Sequence, residues 1–247
     1  MYCMKVVATI EARMTSSRLP GKVLLTVLGK PMLHYLVLRL KSVPSIDEII
    51  IATTTNTSDD VIVEFAKSEG VLYYRGSEED VMARVIGAGE KANADVLVEI
   101  TGDCPIIDPD IIEQTIQMFL HHEASYVSNA HVRSYPDGMD TQVFKLATLK
   151  KSAEMTCDTL DHEHVTLHMR NNPEIFSKVH LIAPPSQSWP DLGLTLDEQQ
   201  DFELLKSIIE YFHNKNPLFS CLDVIQLLRS NPDWVKINQS VVRKGDS

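Results

Sequence analysis

Positive charge is scarce in this chain. Its 247 residues carry 23 Lys and Arg against 34 Asp and Glu, for a formal net charge of -11. An extended nucleic-acid surface draws mainly on Lys and Arg, so that class of partner is excluded. A small nucleotide pocket needs only a few local cations and is not. Cysteine is scarce too: Cys3, Cys104, Cys157 and Cys221 lie far apart and form no C-x-x-C pair. Scattered thiols in a chain long enough to bury its own core read as the reduced cysteines of a cytoplasmic protein, not a disulfide frame. No apolar run approaches the roughly 18 residues of a membrane span, and a start that turns polar at Glu11 does not match a signal peptide. A membrane partner is therefore not expected. No repeat, low-complexity tract or linker stands out.

What is present is ordinary for a soluble globular protein: 44% hydrophobic residues and enough length for one large α/β domain. The first 120 residues alternate strand and helix patterns. Strands are expected over Val6 to Ile10, Glu48 to Thr53, Val71 to Tyr74 and Asp95 to Ile100. Helices are expected after Pro31, after the cap candidate Ser58 as far as Gly70, from Glu78 to Ala92, and after Pro109. Such units build a doubly wound, mostly parallel sheet with helices on both faces, and ligands gather at the carboxyl ends of its strands. Loops 11–22, 75–84 and 101–108 are therefore privileged. Past residue 123 the alternation breaks. Short strands at Tyr126–Asn129, Asp140–Phe144 and Val179–Ile182 surround a helical stretch from Cys157 to Arg170. Leu194–Leu196 reads as a return strand. Helices 198–213 and 221–229 follow, the latter behind the cap pair Ser220 and Asp223. The end, from Asn238, reads as polar and loose. One domain spanning 1–247 with an inserted arm at roughly 130–190 is the resulting expectation.

The loop Arg13-Met-Thr-Ser-Ser-Arg18-Leu-Pro-Gly21-Lys22 follows the first strand directly. A Walker A loop needs Gly where this chain has Ser16, and Ser or Thr where it has Val23; the dinucleotide fingerprint needs three glycines, and this loop has one. Three cations, three small hydroxyl residues and Pro20-Gly21 remain, a composition able to wrap a triphosphate. The plain alternative is a solvated basic loop. After the fourth strand comes Gly102-Asp103-Cys104-Pro105, which offers a carboxylate to Mg²⁺ or makes a structural turn. His162, His164 and His168 lie at helical spacing, open to reading as a metal pair or as a polar helix face. Trp189 and Trp234 read as packing residues.

Taken in order, several motifs carry a family resemblance. They are Ile10-Glu-Ala-Arg13 through Lys22, Gly29-Lys-Pro-Met32, Gly102-Asp103-x-Pro and Leu196-Asp197-x-x-x-Asp201. Together with Arg75-Gly-Ser-Glu-x-Asp80, Tyr135-Pro-Asp-Gly-x-Asp140 and Glu163-His164-Val-Thr, they resemble the CMP-sugar synthetases, above all the spore-coat-polysaccharide cytidylyltransferase branch. The resemblance covers roughly residues 4 to 212. It implies a nucleotidyltransferase fold, CTP as donor, a small sugar-acid-like acceptor, Mg²⁺ as cofactor and a homodimer built partly from the arm. It also implies that Arg13, Lys22, Asp103 and Asp197 form the catalytic set, with the metal on Asp103 and Asp197. Ala12, Arg13, Ser17, Lys22, Arg75, Asp80, Arg84, Thr101 and Asp103 would line the nucleotide side, and Asp137, Asp140, Glu163 and His164 the acceptor side. Two departures stand out: Glu11 replaces the family's Pro, and Thr101 replaces the Gln of the KDO enzymes. A phosphorylated polyol as acceptor, and a non-catalytic nucleotide-binding protein on the same fold, are the competing readings.

Overall fold

Four short runs, rich in β-branched or aromatic residues, lie side by side in the computed structural model, which describes residues 4–243. They are β1 (Val6–Glu11), β4 (Glu48–Thr54), β5 (Leu72–Gly76) and β6 (Val96–Thr101); between the first two, β2 (Thr26–Val27) and β3 (Lys30–Pro31) form a small hairpin. β1 pairs in parallel with both β4 and β6, and β5 pairs in parallel with β4. The sheet continues through β7 (Tyr126–Ser128), β8 (Gln142–Lys145) and β9 (Lys178–His180), giving the seven-stranded order β5-β4-β1-β6-β8-β7-β9. Only β8 runs against the rest, antiparallel to both β6 and β7. The expected doubly wound, mostly parallel sheet is thus the observed one.

Alternation along each strand feeds two cores. In β1, Ala8 and Ile10 face α1 (Met32–Leu40), α2 (Asp60–Glu69) and α4 (Pro109–His121), while Val7 faces α3 (Val81–Lys91) and α5 (Leu146–Met155). Burial on both faces explains why these strands read as near-continuous apolar runs. A third cluster packs α8 (Gln199–Phe212) and α9 (Cys221–Ser230) around Met32, Ile106 and Tyr135, with Trp189 and Trp234 against it as packing residues. Local signals behave as expected at several ends. Gly70 stops α2 at φ 67, Pro109 opens α4 behind Asp108, and Ser220 with Asp223 forms a reciprocal cap on α9.

Elsewhere tertiary context prevails. Leu194–Leu196 is not a strand of the sheet; Leu194 N–H donates to Asp137 O and Leu196 N–H to Asp103 O, each at 2.8 Å. The apolar side chains of Leu192, Leu194 and Leu196 satisfy their pattern by burial in the third cluster. The helical stretch 157–170 is two short helices, α6 (Thr159–Glu163) and α7 (Leu167–Asn171), interrupted where Val165 takes φ 45. α5 went unread, because only Leu146, Leu149 and Ser152 of its face are buried. Asp59, not Ser58, precedes α2, and its carboxylate is used elsewhere. Within 130–190, β8 and β9 belong to the main sheet and α5 packs on α3. A last short helix, α10 (Pro232–Val235), leads to a tail that is not loose: Asn238 is 5% exposed. Cys3 and residues 244–247 lie outside the described residues.

Arg39 joins these layers. It is 1% exposed, lies 4.0 Å over the Phe219 ring and donates to Phe219 O at 2.8 Å. Nearby Asp108 accepts from Cys221 N–H at 2.6 Å, fastening α9 to the start of α4. Arg39→Ala strips the buried carbonyls of their donor and leaves a cavity, so it should cost about 3 kcal/mol of stability, read from the shift in urea midpoint.

Candidate active site

The carboxyl ends of β1, β4 and β6 carry the polar residues. At the end of β4, the buried Asp59 accepts from Thr54 Oγ1 at 2.5 Å, Thr53 Oγ1 at 3.1 Å and, across to the first loop, Met14 N–H at 2.8 Å. Burial pushes this carboxyl up, but hydrogen bonds from Thr54, Met14 and Thr53 more than offset that and hold it below its ordinary value. Its charge thereby pins the loop 12–22. Gly21, at φ 70, turns the loop back so that its N–H meets Met14 O at 2.9 Å. Lys22 is then delivered into a short turn behind it.

The Lys22 ammonium lies between two carboxylates, 3.1 Å from Asp103 Oδ2 and 2.9 Å from Asp197 Oδ1. Arg18 adds a second cation 2.9 Å from Asp197. Burial works against the Lys22 charge, yet Asp103 and Asp197 raise its pKa above the ordinary value. Asp103 is depressed in turn: burial raises it, and Lys22 and the Thr101 hydroxyl outweigh that. Thr101 Oγ1 donates to Asp103 Oδ1 at 2.6 Å. Gly102 makes the placement possible, because a Cβ there would stand 2.7 Å from Glu11 O.

These groups border a cavity of about 430 Å³, within the range of small-molecule sites. From the first loop it is lined by Ala12, Arg13, Ser17 and Lys22, and from α3 by Arg84. Thr101, Asp103 and Asp197 line it too, as do Asp140, Glu163 and His164. Three residues singled out in the sequence lie elsewhere. Arg75 clasps Thr54 O at 2.8 Å, Asn56 O at 2.7 Å and Asp60 at 2.6 Å, fastening β5 to the turn before α2. Asp80 caps α3 and meets His162 Nδ1 at 2.9 Å, on the wall of an adjoining recess. Asp137 sits behind the site, between Arg133 and Arg243. The three histidines diverge: His162 goes to Asp80, His164 to the cavity, and the buried His168 to Ser152 at 3.0 Å. The break at Val165 is the cause.

Sequence reasoning missed two acids of the cavity lining. Glu99 projects into the cavity from β6, accepting from Gln142 on β8, whose own carbonyl accepts from Tyr126 and from Thr166 at 2.7 Å. Beside it the two carboxyl oxygens of Glu11 are buried, next to the side chains of Thr9 and Glu99. Burial first, then repulsion from Glu99, raises Glu11 well above its ordinary pKa against the pull of Arg84. Burial lifts Glu99 to about 7. A charged residue near the end of an otherwise apolar strand was the available signal for both. Asp59 offered none, and nor did Glu78, which anchors Arg13 at 3.1 Å.

A doubly wound sheet with a cationic loop after its first strand and two facing carboxylates defines a nucleotidyltransferase. The cytidylyltransferase family model matches residues 7–223, and the chain belongs to that family. It is 31% identical over 229 residues to the spore coat polysaccharide biosynthesis protein SpsF of Bacillus subtilis, covering 91% of this chain and 94% of that one. It is 28% identical over 149 residues to 3-deoxy-manno-octulosonate cytidylyltransferase of Geobacter metallireducens, 59% of this chain and 57% of that one. The solved structure of a cytidylyltransferase from Leptospira borgpetersenii serovar Hardjo-bovis superposes with a TM-score of 0.91 at 32% identity, over 98% of this chain and all of that one.

Because the Glu99 pKa is raised on folding, the native protein binds the extra proton, and stability falls as pH rises from about 4.5 toward about 7. Glu99→Gln removes that proton uptake. Thermal unfolding at pH 5.5 and pH 8 should therefore show a smaller loss on going to the higher pH in the variant than in the wild type.

Proposed function

We propose that this cytidylyltransferase transfers CMP from CTP to a hydroxyl of a small sugar acid, releasing pyrophosphate, in the biosynthesis of a surface or capsular polysaccharide. The observation that carries the reading is the Lys22 ammonium held by Asp103 and Asp197 beside a cationic loop. The named relatives supply the acceptor class and the pathway type. In the reaction the acceptor oxygen attacks the α-phosphorus of CTP, and the bond to the bridging oxygen of pyrophosphate breaks. Such transfers depend on alignment and on neutralising charge. Arg13, Arg18 and Lys22 would meet the triphosphate and the departing pyrophosphate, with Ala12, Ser17, Arg84 and Thr101 lining the nucleotide side. Asp140, Glu163 and His164 face the acceptor. Arg75, Asp80 and Asp137 act from behind, by fixing the loops that bear these groups.

Mg²⁺ is the proposed cofactor. Two hard carboxylates that already share one cation are a donor set that suits it, completed by phosphate oxygens and water. Bound there, it would supply charge neutralisation at the phosphates and lower the pKa of a nearby hydroxyl. A homodimer is proposed as well, because Val132, Leu160 and Ile182, in the stretch 130–190, are 42%, 54% and 51% exposed. The compartment proposed is the cytoplasm, in keeping with the free thiols of Cys104, Cys157 and Cys221. No helix among the described residues is long and apolar enough to cross a membrane. A phosphorylated polyol is the second acceptor reading, favoured by Arg170 on the cavity wall.

Pyrophosphate release with Mg²⁺, measured over a panel of sugar acids and phosphorylated polyols, tests the proposal. CTP with a sugar acid should turn over, and ATP or GTP should not; turnover with ATP comparable to CTP would overturn it. A second prediction concerns Asp197. The N-cap of α8 is Glu198, paired reciprocally with Asp201, so Asp197 carries no cap. Asp197→Asn should keep a near-normal melting temperature and lose turnover by roughly a hundredfold, about 2.7 kcal/mol in barrier. Unchanged turnover would remove Asp197 from the site.

A further inference from the structure

The C-terminal tail is bound across the back of the Asp197 segment. Asn238 Nδ2 donates to Gly193 O at 2.9 Å and to Asp201 Oδ1 at 2.8 Å. Farther on, the Arg243 guanidinium donates to Asp201 Oδ1 at 2.7 Å and to Thr195 Oγ1 at 2.6 Å. It stands 3.9 Å from Asp137 Oδ2 and 4.0 Å from Asp197 Oδ2. Next to it, Val242 O accepts from Arg18 NH1 at 3.3 Å. The guanidinium packs directly over Gly193, where any Cβ would overlap it.

Two routes run from Arg243 to Asp197, and both are short. Asp201 is fully buried, and its Oδ2 accepts the backbone N–H of Asp197 at 3.1 Å and of Glu198 at 2.9 Å. Arg243 and Asn238 both hold Asp201 Oδ1, which leaves Oδ2 turned to that backbone. On the second route Thr195 Oγ1 accepts from Arg243 and so directs its own proton to Asp197 Oδ2 at 3.2 Å. The remaining oxygen, Oδ1, is left to face Lys22 and Arg18. We infer that Arg243 is a positioning residue for the reaction: from the C-terminal tail it fixes both the backbone and the carboxylate plane of Asp197, with Gly193 as the seat that admits it. Partners that orient a metal-binding carboxylate in this way commonly matter by tenfold or more in metal affinity.

The inference rests on the proposed metal role of Asp197, and the test separates the two. CTP binding is measured by calorimetry with and without Mg²⁺ for the wild type, Arg243→Ala and Gly193→Ala, with melting temperatures alongside. The wild type should bind CTP more tightly with Mg²⁺. Both variants should lose about tenfold of that gain and bind CTP alone as the wild type does. Millimolar guanidinium should restore Arg243→Ala but not Gly193→Ala, whose displaced arginine has no room to return. If Arg243→Ala fails to fold, Gly193→Ala carries the test, since its backbone needs no left-handed conformation. A wild type that responds to Mg²⁺, with variants that respond equally, would overturn this inference alone. Equal losses with and without Mg²⁺ would overturn it too, marking a general structural role. A wild type indifferent to Mg²⁺ would overturn the metal reading and this inference together.

Discussion

The ammonium of Lys22 between Asp103 and Asp197 is the contact on which the site depends. Two carboxylates brought to one partly buried place repel each other, and desolvation adds to the cost, unless a cation stands between them. Lys22 fills that role, held at 3.1 and 2.9 Å. Its reach is set by the turn at Gly21, and that turn by the bond from Gly21 N–H back to Met14 O. The same ion pair ties the first loop to the turn after β6 and to the segment before α8.

Behind this contact stand two other buried carboxylates, each fixing a loop through backbone N–H groups. Asp59 takes the N–H of Met14 and Thr54, and Asp201 those of Asp197 and Glu198. Charge-assisted bonds of this kind are strong where water is excluded, which suits segments that have no sheet ladder to hold them. The polar cavity lining follows a different logic. Glu11, Glu99 and Gln142 project from adjacent strands to one face of the sheet, where burial raises the pKa of both acids, that of Glu99 to about 7. Such a surface offers the cavity both hydrogen-bond donors and acceptors.

Much of this was legible in the residues. Runs of β-branched or aromatic residues marked β1, β4, β5 and β6, and the caps at Gly70, Pro109 and Ser220 marked helix ends, because each reflects a preference exerted within a few residues. The cationic loop 13–22 and the Gly102-Asp103 turn were legible as well, since a strand's carboxyl end is where such groups gather. Other elements were not. Val165 takes a positive φ against its intrinsic preference, so the stretch 157–170 breaks in two; α5 has too narrow an apolar face to announce itself.

By itself, then, the sequence determined the class of fold, the strand ends that carry chemistry, and the identities of Lys22, Asp103 and Asp197. All but the last are matters of local periodicity or of residue type at a strand end; Asp197 follows no strand and was legible only through the family motif Leu196-Asp197-x-x-x-Asp201. Only the tertiary structure decided that Arg75 and Asp137 stand behind the cavity, that Glu11 and Glu99 both line it, and that the tail returns to Asp197. Those outcomes depend on which distant segments meet. A buried polar group such as Asp201 needs its partners, here Arg243 among them, to arrive from another part of the chain, and the spacing of residues carries no record of that encounter.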